Sequence, residues 1–105
     1  MNTVTLRLDK WLWFARFCKS RALAQRLIER GQVTLNGTVV EKTATAVHPG
    51  DKLAIVIGAT RRHLAVKDVT DHRGPAPEAR TLYEETAVER LAAVDAALPL
   101  RTRLK

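Results

Sequence analysis

Two short runs of β-branched and apolar residues, Val33-Thr34-Leu35 and Thr38-Val39-Val40, are separated by Asn36-Gly37. A two-residue hairpin turn of type I′ needs a positive φ at both central positions, and Asn-Gly is among the few dipeptides that tolerate it. The chain is therefore expected to contain an antiparallel hairpin over 33–40, and the remaining elements must pack around it. Upstream, 100° steps from Leu8 to Cys18 place Phe14, Cys18, Trp11, Ala15, Leu8 and Leu12 on one arc, the pattern of an amphipathic helix. Asp9 near its start suits the positive end of the helix dipole. Lys19-Ser20-Arg21 interrupts the pattern, and Ser20 is a good N-cap for a second helix from Ser20 to Arg30. Leu23, Leu27, Ala24 and Ile28 share one face of that helix, and Gly31 sits where a left-handed cap is wanted.

Downstream of the hairpin, Pro49-Gly50-Asp51 turns into a strand over Lys52–Ile57. Gly58-Ala59-Thr60 then turns into an alternating segment from Arg61 to Val69, with Leu64 and Val66 on one side. Residues 70–79 read as loop. Thr86-Ala-Val-Glu89 has the form of a capping box, which predicts a last helix over 86–98, ended by Pro99 and followed by a frayed basic tail over 99–105. The expectation is one α+β domain: two helices and a hairpin, extended by further antiparallel strands and a C-terminal helix.

A chain of 105 residues suits one domain and is short for two. Hydrophobic residues at 46% with 28% charged residues argue against wholesale disorder. No run approaches the ~18 apolar residues of a membrane span, and Arg7, Asp9 and Lys10 break up any secretion signal. Cys18 is the lone cysteine, so no internal disulfide or cysteine-cluster metal site is expected, in keeping with a reducing cytoplasm. Catalysis has little to stand on. His48, His63 and His72 lack ligand spacing. Ser20 is explained as a cap, and Cys18 as an inert apolar-face thiol. Glu84-Glu85 are neighbours that do not face each other on a helix. With no glycine-rich phosphate loop either, the chain is read as a non-enzyme without metal or cofactor.

Binding has more to stand on. The net charge is +7, with a pI near 10.3, in the range of domains that hold phosphate backbones. The first 42 residues carry Arg7, Lys10, Arg16, Lys19, Arg21, Arg26, Arg30 and Lys42 against Asp9, Glu29 and Glu41, a net of +5. A solubility coating would be spread more evenly. Arg21, Gln25, Glu29, Arg26 and Arg30 fall opposite the apolar face of the second helix, and Arg21 in its first turn opposes the dipole, a misfit that suits a partner phosphate. Trp13 and Phe17 lie off the apolar arc of the first helix, one turn apart. They are read either as a stacking platform for unpaired bases or, preferentially, as a face covered by the chain's own C-terminal part, such as Tyr83.

Taken together, Arg7-Leu8-Asp9-Lys10-Trp11-Leu12, Ser20-Arg21, Leu27-Ile28, Gly31-x-Val33, Asn36-Gly37 and Gly50-Asp51 resemble the RNA-binding domain of small-subunit ribosomal protein four, over about residues 7–57. The run Lys10-Trp-Leu-Trp-Phe-Ala-Arg-Phe17, with Tyr83-Glu84-Glu85-Thr86 after a Pro-containing loop, resembles more narrowly the ribosome-associated heat-shock protein family of about fifteen kilodaltons. The resemblance implies two helices and a hairpin that bind structured RNA, within a domain over 1–85. It also implies association with free large ribosomal subunits that carry a nascent chain on tRNA, and a role in recycling or the heat-shock response. Carried over residue by residue, it implies RNA-binding roles for Arg7, Lys10, Lys19, Ser20, Arg21, Gln25, Arg26, Gln32, Asn36 and Lys42, to which the helix-face argument adds Arg30. Family members extend further with a Lys/Arg-rich segment, represented here by Arg101, Arg103 and Lys105. The reading is a monomeric ribosomal-RNA binder of the large subunit. tRNA and DNA contact are left open, and a protein-interaction module or a non-specific single-strand binder are the alternatives. A pseudouridine synthase accessory domain is set aside, because no catalytic domain fits after residue 57.

Overall fold

Ser20 stands in extended conformation and its side chain accepts a 3.2 Å hydrogen bond from the Leu23 amide, which starts helix α2 (Arg21–Glu29) as the sequence predicts. In the computed structural model, which describes residues 5–70 and 72–91, α2 follows strand β1 (Leu6–Arg7) and helix α1 (Leu8–Phe14). Strands β2 (Val33–Leu35), β3 (Thr38–Val39), β4 (Ala46–Val47), β5 (Lys52–Ile57) and β6 (Thr60–Val66) come next. A short helix α3 (Ala76–Ala79), a 3₁₀ turn (Arg80–Leu82) and strand β7 (Tyr83–Arg90) complete the described chain. The sheet is antiparallel with order β3-β2-β5-β6-β7, and β1 pairs separately with β4.

The hairpin forms where Asn36-Gly37 predicts it. Asn36 has φ +51° and Gly37 φ +88°, and Leu35 faces Thr38 in register. Gly31 also takes its expected left-handed place, φ +75°. There the Gly31 and Gln32 amides bond the Ile28 and Leu27 carbonyls, closing α2 in a Schellman motif. Helix α1 closes identically, but with Arg16 (φ +67°) in the left-handed position: the Arg16 amide bonds Trp13 O and the Phe17 amide bonds Leu12 O. The helix therefore stops at Phe14, short of the expected Cys18, and Phe17 and Cys18 lie beyond it.

Both layers share one core, with Leu8, Trp11 and Leu12 of α1 and Ala24 and Ile28 of α2 meeting Val33, Leu53, Ile55, Leu64 and Val66 of the sheet. Leu64 and Val66 are both buried, as the alternation requires. The Trp11 indole N–H donates to Asp68 O at 3.0 Å, tying α1 to the chain after β6. Two expectations fail in instructive ways. Of the four apolar residues on α2 only Ala24 and Ile28 are buried; Leu23 remains 43% exposed. The C-terminal helix expected from Thr86 is, over Thr86–Arg90, the second half of strand β7. Thr86 is the extra residue of a bulge, since His63 pairs with Ala87 and Leu64 with Glu85, and its hydroxyl donates to His63 O. The rest of the expected helix and the basic tail lie outside the described residues.

Candidate nucleic-acid interface

Asp9 is the only acid among the first 28 residues, and α1 buries it completely. A buried carboxylate is tolerated only with partners, and Asp9 gathers them from three elements. Arg7 of β1 grips both oxygens through Nε and Nη2 at 3.1 Å. Arg21 Nε and Gln25 Nε2 of α2 donate to Oδ2 at 3.1 and 3.0 Å, and the Lys10 amide donates to Oδ1 at 2.8 Å. Burial alone would raise the Asp9 pKa. Hydrogen bonds from Gln25, Arg7 and Arg21 outweigh it and hold the carboxyl below its ordinary value. The two guanidiniums stay partly exposed while their Nε atoms are pinned, so their outer N–H groups are presented in fixed directions.

The 42–45 turn docks against the same end of α1, with the Leu8 and Asp9 amides bonding Thr45 O and Thr43 O. This places the backbone of Lys42 at the Asp9 end of α1. Lys19 leads into α2, and Arg26 and Arg30 stand one turn apart along it. Lys10, Lys19, Arg26, Arg30 and Lys42 have no ion pair among the described residues. The sheet differs: Arg61 pairs with Glu89, Arg62 with Glu85 and Lys67 with Glu84.

Several residues expected at the interface are occupied elsewhere. Asn36 donates to Asp51 Oδ1 at 3.0 Å and accepts from the Lys52 amide at 2.9 Å, so its amide locks the hairpin tip to the 49–51 turn. The Gln32 side chain donates to Val56 O, and the Ser20 hydroxyl accepts from the Leu23 amide as the cap. Gln25 faces Asp9 instead of a ligand. Trp13 and Phe17 are both half-buried. Phe17 lies 6.0 Å from Trp11 and 4.6 Å from Tyr83, with the Arg62 guanidinium 4.9 Å above its ring. For Phe17 that cover by Tyr83 matches the preferred of the two sequence readings, whereas Trp13 packs on Phe14 at 5.4 Å. Arg16 and Arg73 bond the Gly74 and Trp13 carbonyls, and burial pushes the Cys18 thiol pKa up, as befits an inert thiol. Sequence reasoning missed the organising role of Asp9; its isolation among cations was the available signal. Among the described residues no group of three His, Cys, Asp or Glu could hold a metal ion, and no helix is long and apolar enough to cross a membrane.

Comparison with known proteins adds four findings. Residues 6–53 match the S4 domain family. Heat shock protein 15 of Escherichia coli (strain K12) is 49% identical over 84 residues, covering 80% of this chain and 62% of that protein. The RQC P-site tRNA stabilizing factor of Halalkalibacterium halodurans is 40% identical over 81 residues, 75% of this chain and 88% of that one. Among solved structures, the trimeric Heat Shock Protein 15 of Vibrio cholerae superposes with a TM-score of 0.75 at 40% identity, covering 80% of this chain and 84% of that chain. The chain thus spans about three-fifths of the length of the E. coli relative.

Proposed function

Because the chain belongs to the S4 domain family, in its heat shock protein 15 branch, we propose that it binds ribosomal RNA on the large ribosomal subunit, next to a tRNA held in the P site. The observation that carries this reading is the uneven pairing of charge. Arg61, Arg62 and Lys67 on the sheet side are paired with neighbouring carboxylates, while Lys10, Lys19, Arg26, Arg30 and Lys42 of the helix pair and the 42–45 turn have no ion pair among the described residues and are left for an external anion. Phosphate contacts from Lys10, Lys19, Arg26, Arg30 and Lys42 supply affinity. Arg7 and Arg21, aimed by Asp9, add directional N–H groups that suit the shape of a folded RNA. The P-site tRNA stabilizing role for which the Halalkalibacterium relative is named favours a subunit that still carries P-site tRNA, which makes the protein a cytoplasmic binding factor in ribosome recycling and not an enzyme.

Sedimentation of the tagged protein with ribosomal fractions, before and after subunit dissociation, tests this. Migration with free large subunits is the expected result. Migration with messenger RNA alone, with DNA, or with no nucleic acid overturns it.

A further inference from the structure

Helix α2 carries an apolar strip that the core covers only in part. Leu23 is 43% exposed and Leu27, one turn on, is half-buried. With Phe17 and Ile57 they floor a groove of about 410 Å³, within the ~300–1,000 Å³ usual for small-ligand sites. Lys19, Arg26 and Arg30 also line it, no acidic residue does, and none of the three cations is ion-paired among the described residues. The Phe17 wall is already braced by Trp11 and Tyr83, so little side-chain ordering is needed when something fills the groove.

These properties select an occupant that is flat and apolar in one part and anionic in another. A purely apolar peptide would leave three cations desolvated without partners. A phosphate backbone alone would leave Leu23 and Leu27 wet. An unpaired nucleotide satisfies both, its base against Leu23, Leu27 and Ile57 beside the edge of Phe17, whose ring Trp11 and Arg62 already flank, and its phosphates on Arg26 and Arg30. We infer that this groove receives an unstacked base of the bound RNA. The inference rests on the RNA-binding reading above and deepens it: the Asp9-centred cations read folded backbone, and the α2 groove captures a single-stranded residue beside it.

The test titrates methyl-labelled full-length protein with hexa-adenylate RNA and, separately, with an abasic hexamer of the same backbone. The Leu23, Leu27 and Ile57 methyl resonances should move with the first and barely with the second. Affinity for hexa-adenylate should exceed that for the abasic chain by at least ~5-fold, the lower end of the range for one stacked base. Leu23→Glu should abolish that ratio at an unchanged melting temperature; if it fails to fold, Leu23→Ser is judged by the same ratio. Equal affinities with still methyls, in a protein that sediments normally with large subunits, overturn the groove and leave the RNA-binding reading standing. Loss of binding to both hexamers and to subunits overturns both. Methyl shifts that follow protein concentration instead of RNA make the groove a contact between copies, and the inference falls.

Discussion

A single carboxylate holds the Asp9 cluster together, so its removal has two separable consequences. Asp9→Ala removes the shared acceptor of Arg7, Arg21 and Gln25 and should cost about 1–3 kcal/mol in urea unfolding, because both guanidiniums left behind are partly exposed to water. The pH dependence follows from the depressed pKa. The stability Asp9 contributes is fully present above its unfolded value near 3.8 and is lost as pH falls through the lower folded value. Arg62 lowers Glu85, and His63 with Arg61 lowers Glu89, in the same direction. Acid unfolding in Asp9→Asn should therefore flatten in part and not vanish. The cluster also changes which arginine tests binding. The helix-face argument made Arg21 a purely surface contact; with its Nε on Asp9, Arg21→Ala should lose about 1.5–3 kcal/mol of stability as well as affinity. Arg26→Ala and Arg30→Ala are the cleaner probes. Each should stay within about 0.5 kcal/mol of wild type on melting while reducing the salt slope of RNA binding by roughly 0.7–0.9.

At the scale of elements, local chemistry was legible wherever the backbone demanded an unusual residue. Asn36-Gly37, Gly31 and the Ser20 cap each sit where the sequence puts them. Gly37→Val forces a β-branched residue into φ +88° and should cost about 1–3 kcal/mol, measurable as a lower urea midpoint at unchanged m. The end of α1 was not legible, because Arg16 occupies the left-handed position that glycine would have marked, and the arc argument ran on to Cys18. The capping box at Thr86 misled for a different reason. Local propensity there competes with pairing to β6, and the cross-strand bonds Arg62–Glu85, Arg61–Glu89 and Thr86–His63 O exist only in the strand. Carbon chemical shifts over Thr86–Arg90 should be strand-like, and helical shifts there would overturn the assignment. Burial on α2 was half legible: four apolar residues pointed to one face, but nothing in their spacing said that the sheet would cover two and leave Leu23 open.

At the scale of the whole molecule, five cations of the helix pair and the 42–45 turn, Lys10, Lys19, Arg26, Arg30 and Lys42, have no ion pair among the described residues, while Arg61, Arg62 and Lys67 on the sheet side are paired. Affinity for large subunits should fall linearly with salt on logarithmic axes, since unpaired cations release counterions from the RNA. The Arg62–Glu85 pair lies outside that set, so Glu85→Gln should leave the slope unchanged. The resemblance legible in the sequence was at this scale too, because the order and spacing of many small motifs carry more information than any one site. Strand β7 carries a further consequence. Among the described residues it has β6 on one side and no strand on the other, and an open edge is a template for cross-β growth with any exposed strand it meets. Glu84, Glu85, Glu89 and Arg90 stand along that edge, and Thr86 bulges it. Charge and bulge are the two devices that blunt such templating, so an edge left without a strand partner among the described residues need not seed aggregation.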